Sequence, residues 1–314
     1  MEIIWIILGI TILLFLALTA ILFICFRMAF YSPKRAPRGA DEFPIPVGEI
    51  YEPYRDSMVR WMKEARAMSR QDMSVTSFDG LTLRGKFYCY SPEAPIELMF
   101  HGYRGDAERD LCGGVQRCFK LGHSALIVDQ RGCGTSDGNV ISFGARESRD
   151  CHTWVDYMIR HFGPDVKIIL TGISMGAATV LIAAGTPLPK NVIGVLADCG
   201  YSSAEAIIKK VIRDMKLPPN AAYPLVRLAG KIFGGFDLAE ASPVKAIQSC
   251  ELPVILFHGE ADDFVPCEMS REIYEHCTSP RKLVTIPNAG HGLSYPVDPK
   301  TYLQTLKGFW EENT

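Results

Sequence analysis

At 314 residues the chain can bury one large α/β core as readily as two small ones. Charged residues make up 22% and the formal net charge is −2, so there is no basic footprint for nucleic acid. Ten scattered cysteines include no C-x-x-C and no zinc-finger spacing to histidine. They read as buried thiols of a reducing compartment, with neither a structural metal nor a disulfide framework expected.

The first element is Ile3–Phe26, "IIWIILGITILLFLALTAILFICF", which has no charged residue. Two dozen residues in a helix extend about 36 Å, enough for a hydrocarbon core of about 30 Å. A cleaved signal peptide would need a basic start, a shorter apolar core and a small-residue cleavage site, so an uncleaved anchor over residues 1–31 is expected. Ser32–Glu49, "SPKRAPRGADEFPIPVGE", is rich in Pro and charge and reads as an extended linker lifting the domain off the bilayer. Residues 50–314 would form the domain. Arg27, Lys34, Arg35 and Arg38 follow the span while only Glu2 precedes it, a balance that places the domain on the cytoplasmic side of a single-pass cell-membrane protein.

Tyr54–Met68 has helical spacing through Met58, Trp61, Met62 and Ala65. "MSVTSF" and "LTLRGKFYCY", joined by Asp79-Gly80, predict a hairpin. Strand candidates then alternate with helix candidates. The strands are Ile96–Phe100, Ala125–Val128, Lys167–Leu170, Val192–Ala197, Pro253–Phe257 and Lys282–Ile286. The helices lie near Glu108–Leu121, Arg146–His161, Met175–Ala184, Met269–His276 and Lys300–Glu312. Near-continuous apolar strands between helices predict a parallel sheet covered on both faces. One stretch, about 202–248, has two helical pieces and no strand. No internal repeat is present.

"LTGISMGAAT", Leu170–Thr179, puts Ser174 on a turn between a strand and a helix, inside G-x-S-x-G. That is the pattern of a nucleophile elbow, although Gly and Ser also populate ordinary turns. A serine hydroxyl needs a base, an orienting acid and oxyanion donors, and open α/β sheets place such groups at the carboxyl ends of strands. His291 lies in a glycine-flanked loop after the last strand. His101 and His258 each precede a glycine at a strand end, where a structural role is the ordinary reading. The acid candidates are Asp262 and Asp263 in "HGEADDFVP", which the local sequence leaves open. Backbone amides of Met175, after the serine, and Tyr103, in "FHGYRGD", are the candidate oxyanion donors.

With "HGYRG", "DQRGCGTSDG", "GISMG", "HGEADDFVP" and "GHG" in this order, the sequence resembles the α/β-hydrolase superfamily over about residues 74–313. It is most similar to bacterial membrane-associated serine hydrolases of the serine-aminopeptidase and monoacylglycerol-lipase-like branch. The resemblance implies an α/β-hydrolase fold, a mostly parallel doubly wound sheet behind one transmembrane helix. It also implies that the acid is Asp262, that Asp129 and Arg131 are scaffold, and that 202–248 is a short helical cap over the site. A Ser174–His291–Asp262 hydrolase of short-to-medium acyl or aromatic esters is expected, its partners being a small ester and the lipid bilayer through Ile3–Phe26. No cofactor is expected, and the oligomeric state has no signature in the sequence. An aminopeptidase-like amidase would need an amine-binding acid, for which Glu205 and Asp237 are available. A non-catalytic tethered scaffold is the remaining alternative.

Overall fold

A computed structural model describes residues 1–34 and 39–313, apart from the Cys112 side chain. Helix α1 (Glu2–Ala29) is long and apolar enough to cross a membrane, a property that a signal sequence shares. A 3-10 turn (Glu49–Tyr54) leads into α2 (Arg55–Ala67), then into the hairpin β1 (Gln71–Thr76) and β2 (Thr82–Tyr88). Gly80 at φ +88° supplies the left-handed residue of its turn. The alternation follows as β3 (Ile96–Phe100), α3 (Ala107–Lys120), β4 (Ser124–Asp129), α4 (Glu147–Phe162), β5 (Ile168–Ile173), α5 (Met175–Ala184) and β6 (Val192–Asp198). The excursion holds α6 (Ala204–Asp214), α7 (Pro219–Ala229), a π-helical turn (Gly230–Gly234) and the one-turn α8 (Pro243–Ala246). β7 (Val254–Gly259), α9 (Glu268–His276), β8 (Arg281–Ile286), the one-turn α10 (Ser294–Val297) and α11 (Pro299–Asn313) complete the chain.

The eight strands form one sheet in the order β1-β2-β4-β3-β5-β6-β7-β8, and only β2 runs antiparallel to its neighbours. This is the α/β-hydrolase fold. Every residue of β3 is buried, as expected for a strand covered on both faces. Leu98 stands opposite Leu126 on one side and Leu170 on the other, and these residues join Trp154, Val155 and Met158 of α4 in the main core. The opposite face is covered by α3 and by Tyr302, Leu306, Phe309 and Trp310 of α11. Inside the sheet Glu97 is a buried charge that accepts from Arg117, His123 and Thr171. Burial raises its carboxyl, but the Arg117 and His123 partners outweigh that and hold it well below the usual range.

The amino-terminal segments sit on the domain more closely than a free linker would. Leu22, Phe26 and Phe30 of the α1 end are buried with residues of α6 and α7. Ser32 N–H donates to the Asn139 carbonyl, and Tyr31 bridges to Val140. The Arg66 guanidinium lies 4.4 Å from the Phe43 ring centre, and Ile45 packs beside Tyr51, Met58 and Leu293. Phe43 and Ile45 thus rest on the domain while Val47 stays exposed, so this part of the Pro-rich stretch lies along the surface. Arg35 and Arg38, two of the cations after the span, fall outside the described residues.

Candidate active site

The turn between β5 and α5 is built by close backbone approach. A Cβ at Gly172 would overlap the Gly176 carbonyl, and one at Gly176 would overlap the Phe100 carbonyl. Ser174, between them, is held at φ 56° and ψ −117°, a strained conformation for a residue with a side chain. Its N–H donates to the Asp198 carbonyl at 2.8 Å, and its carbonyl accepts from Ala178 in the first turn of α5. The hydroxyl is thereby left at the positive end of a helix.

His291 comes from the loop between β8 and α10, where Gly292 at φ +68° turns the chain. Its Nε2 lies 2.9 Å from Ser174 Oγ and its Nδ1 lies 2.7 Å from Asp262 Oδ2. A carboxylate can only accept, so Nδ1 carries the proton and Nε2 is the acceptor facing the serine. The Tyr51 hydroxyl donates to the His291 carbonyl at 3.0 Å, and the Phe264 ring meets the imidazole edge-on at 5.1 Å.

Asp262 lies in the loop after β7. The other oxygen, Oδ1, accepts from Phe264 N–H at 3.0 Å and Val265 N–H at 2.8 Å. Burial pushes this carboxyl up, but hydrogen bonds from His258 and His291 and the backbone outweigh it and hold it at about 2. Asp263 is exposed, and its carbonyl accepts from Lys210. The neighbour that meets His291 is Asp262.

His258 has the structural role expected of it and adds a contact to Asp262 that its sequence context did not suggest. Fully buried, it sits with Nε2 2.8 Å from the Val265 carbonyl and 3.3 Å from Asp262 Oδ2, and with Nδ1 2.6 Å from Ser270 Oγ. The carbonyl fixes the proton on Nε2, so His258 braces the loop and the carboxylate together. The available signal was its spacing four residues before Asp262. Cys199 Sγ also lies within 4.8 Å of the ligating atoms of Asp262 and His291. Burial, then the charges of Asp198 and Asp262, push this thiol well above the usual range, which leaves it a neutral packing group.

Gly102 brings the loop after β3 against the serine: a Cβ there would stand 3.5 Å from Ser174 Cβ. The Asp110 carboxylate steadies this loop by accepting from Gly102 N–H at 3.2 Å. Tyr103 follows, and Met175 is fully buried on the other side of the serine. Among the described residues neither amide donates to a protein acceptor. The Tyr103 hydroxyl donates to the Ala29 carbonyl at 2.8 Å, and Arg104 Nη2 donates to the Met28 and Tyr31 carbonyls at 2.8 and 2.7 Å. The end of α1 therefore grips the loop beside Ser174.

A cavity of about 230 Å³ opens at Ser174 and His291. Its walls are largely apolar, with Met58 and Trp61 from α2, Leu111 from α3, and Tyr295 and Tyr302 from the carboxyl end. Gly113 gives Trp61 room, since a Cβ there would stand 2.8 Å from the indole. No residue of 202–248 lines this cavity. The apolar faces of this stretch pack in one cluster with Leu22, Phe26 and Phe30. Glu205 pairs with Lys209 at 2.7 Å, and Asp237 pairs with Arg227 at 2.7 Å and Lys231 at 2.8 Å. Neither acid reaches the cavity, so neither is available to an amine there.

Residues 98–305 match the model of the alpha/beta hydrolase family. The chain is 30% identical over 190 residues to the uncharacterized protein YqkD of Bacillus subtilis, covering 60% of this chain and 62% of that relative, so it spans less than two thirds of its length. It is 34% identical over 273 residues to a polyketide transferase of Stachybotrys chlorohalonatus, covering 71% of this chain and 90% of that protein. In structure it resembles an esterase of Pyrococcus furiosus, with a TM-score of 0.65 and 21% identity over 86% of this chain and 96% of the esterase. The ferulic-acid complex of Est1E from Butyrivibrio proteoclasticus gives 0.58 and 21%, over 77% and 98%. These structural likenesses concern the fold alone. Sheet order, the strained turn and the family match agree, and the chain belongs to the alpha/beta hydrolase family.

Proposed function

We propose that the protein is a membrane-anchored serine hydrolase that cleaves carboxylic esters through an acyl-enzyme. The observation that carries this reading is the chain from Ser174 Oγ to His291 to Asp262, at 2.9 and 2.7 Å, beside a largely apolar cavity. Ser174 Oγ attacks the ester carbonyl carbon while His291 Nε2 takes its proton. The carbonyl oxygen becomes an oxyanion facing the Tyr103 and Met175 amides and the amino end of α5. On collapse the C–O bond to the alcohol breaks, and His291 returns the proton to the leaving alkoxide. Water, deprotonated by the same imidazole, then releases the acid and restores Ser174. Asp262 stays ionised throughout, since its carboxyl sits at about 2, and it stabilises the imidazolium.

The cavity supports a short-to-medium acyl or aromatic substrate. An apolar cavity of about 150 Å³ holds benzene, so 230 Å³ accepts an aromatic or medium acyl group and not a long chain. A transferase variant of the same chemistry, in which an alcohol replaces water, draws support from the 34%-identical polyketide transferase. The apolar α1 supports anchoring, and Arg27, Lys34, Arg35 and Arg38 after it support a cytoplasmic domain.

The test is full-length protein in detergent against p-nitrophenyl esters of graded length and aminoacyl anilides. Ester turnover is expected to fall beyond about a dozen carbons, with anilides far slower. Faster anilide cleavage would overturn the ester reading. Alcohol added to the assay distinguishes transfer from hydrolysis by the appearance of a new ester.

A further inference from the structure

Helices α6 and α7 carry a surface that ester hydrolysis leaves unexplained. One face buries Ile207, Ile208, Ile212, Tyr223 and Val226. Large apolar side chains also stand in solvent along this stretch: Met215 (47% exposed) and Leu217 (48%) in the turn between the two helices, Leu228 (40%) on α7 and Ile232 (56%) in the π-helical turn after it. The same stretch, 204–233, holds six cations, of which Lys209, Lys210, Arg227 and Lys231 are paired with Glu205, Asp214 and Asp237. Arg213 and Lys216, on either side of the Asp214–Met215 turn, are exposed and have no ion pair among the described residues. Exposed apolar residues among cations are the composition of an element that lies on an anionic bilayer surface.

Position agrees with composition. A helix entering the hydrocarbon at Ile3 needs about 20 residues to cross it, so it leaves near Leu22–Phe23. At that level the Phe233 ring packs on Phe23 at 5.6 Å and on Phe26 at 5.7 Å. The π-helical turn that carries Phe233 also carries Ile232, and α7 before it carries Leu228.

We propose that α6–α7 is a second membrane contact: Leu217, Leu228 and Ile232 enter the headgroup–acyl boundary of the leaflet that α1 leaves, and Arg213 and Lys216 meet its anionic headgroups. The proposal rests on α1 being a membrane span. It fixes the height of the site, because the loop of Tyr103 and Arg104 is tied to the carbonyls at the end of that helix.

The experiment uses full-length protein reconstituted in phosphatidylcholine vesicles with and without phosphatidylglycerol. A bimane is attached at Ile232→Cys, or at Asp165→Cys in the exposed loop before β5, in a background with Cys25 and Cys89 changed to Ser. Brominated-chain lipid is the quencher, and the parent lacking the new cysteine gives the background. Ile232→Cys is expected to be quenched at least twofold more than Asp165→Cys, and more strongly with phosphatidylglycerol. Arg213→Glu with Lys216→Glu is expected to remove the lipid dependence. Equal quenching at both positions, in protein that resists alkaline carbonate extraction, overturns the cap contact and leaves the span standing. Release by carbonate overturns both.

Discussion

Ser174 holds a positive φ that costs about 1–3 kcal/mol, and the surroundings over-determine it through two glycines with no room for a Cβ. That strain is local, so it is written in five consecutive residues and could be read from them. Asp262 was not separable from Asp263 on local sequence, because the choice is made by His291, 29 residues away, and by His258 behind it. Asp262→Asn should lower turnover by about 10⁴, since the imidazole loses its tautomer and its counter-charge; Asp263→Asn should stay within about twofold. Steady-state rates on one ester decide this, and the reverse ranking would refute the assignment. The same carboxyl gives an acid signature. With a folded value of about 2 against about 3.9 unfolded, its stabilisation is complete above pH 4 and is lost as pH falls through 2. Urea unfolding at pH 5 and 2.5 should show wild type losing about 2 kcal/mol more than Asp262→Asn.

At the scale of elements, the apolar strands and the alternating helices were readable because their periodicity is local, and the observed bounds differ by a few residues at most. The roles of α1 and α2 were not. Tyr103 and Arg104 reach carbonyls more than 70 residues earlier in the chain, and no short-range pattern encodes such a meeting. The latch makes α1 part of the site. Deleting residues 1–31 should therefore lower kcat, and Arg104→Ala in the full chain should do so about tenfold with little change in KM. Arg104→Lys should recover part of the loss by keeping one donor. An unchanged kcat in Arg104→Ala would show that the loop holds its shape unaided. Phe30 is fully buried where α1 meets α7, and Phe30→Ala should cost about 3–5 kcal/mol, measured as a lowered melting temperature.

Over the whole molecule, the site stands between two amino-terminal contributions. On one side α2 lines the cavity with Met58 and Trp61; on the other, α1 and the 202–248 stretch meet in one apolar cluster. The sequence pointed to the cap as the wall of the pocket because the family places it there. In the structure it shares an apolar cluster with the end of α1 and does not line the cavity. Trp61→Ala should thus lengthen the preferred acyl chain by several carbons, while Ile232→Ala should leave chain preference unchanged, as read from a p-nitrophenyl ester series. All of this depends on Ser174 being the residue that forms the acyl-enzyme. Labelling with a fluorophosphonate probe, followed by mass spectrometry of the modified peptide, addresses that directly in the full-length protein. One adduct is expected, on Ser174, absent from Ser174→Ala and nearly absent from His291→Ala; equal labelling of Ser174→Ala, or an adduct on another residue, would refute Ser174 as the nucleophile.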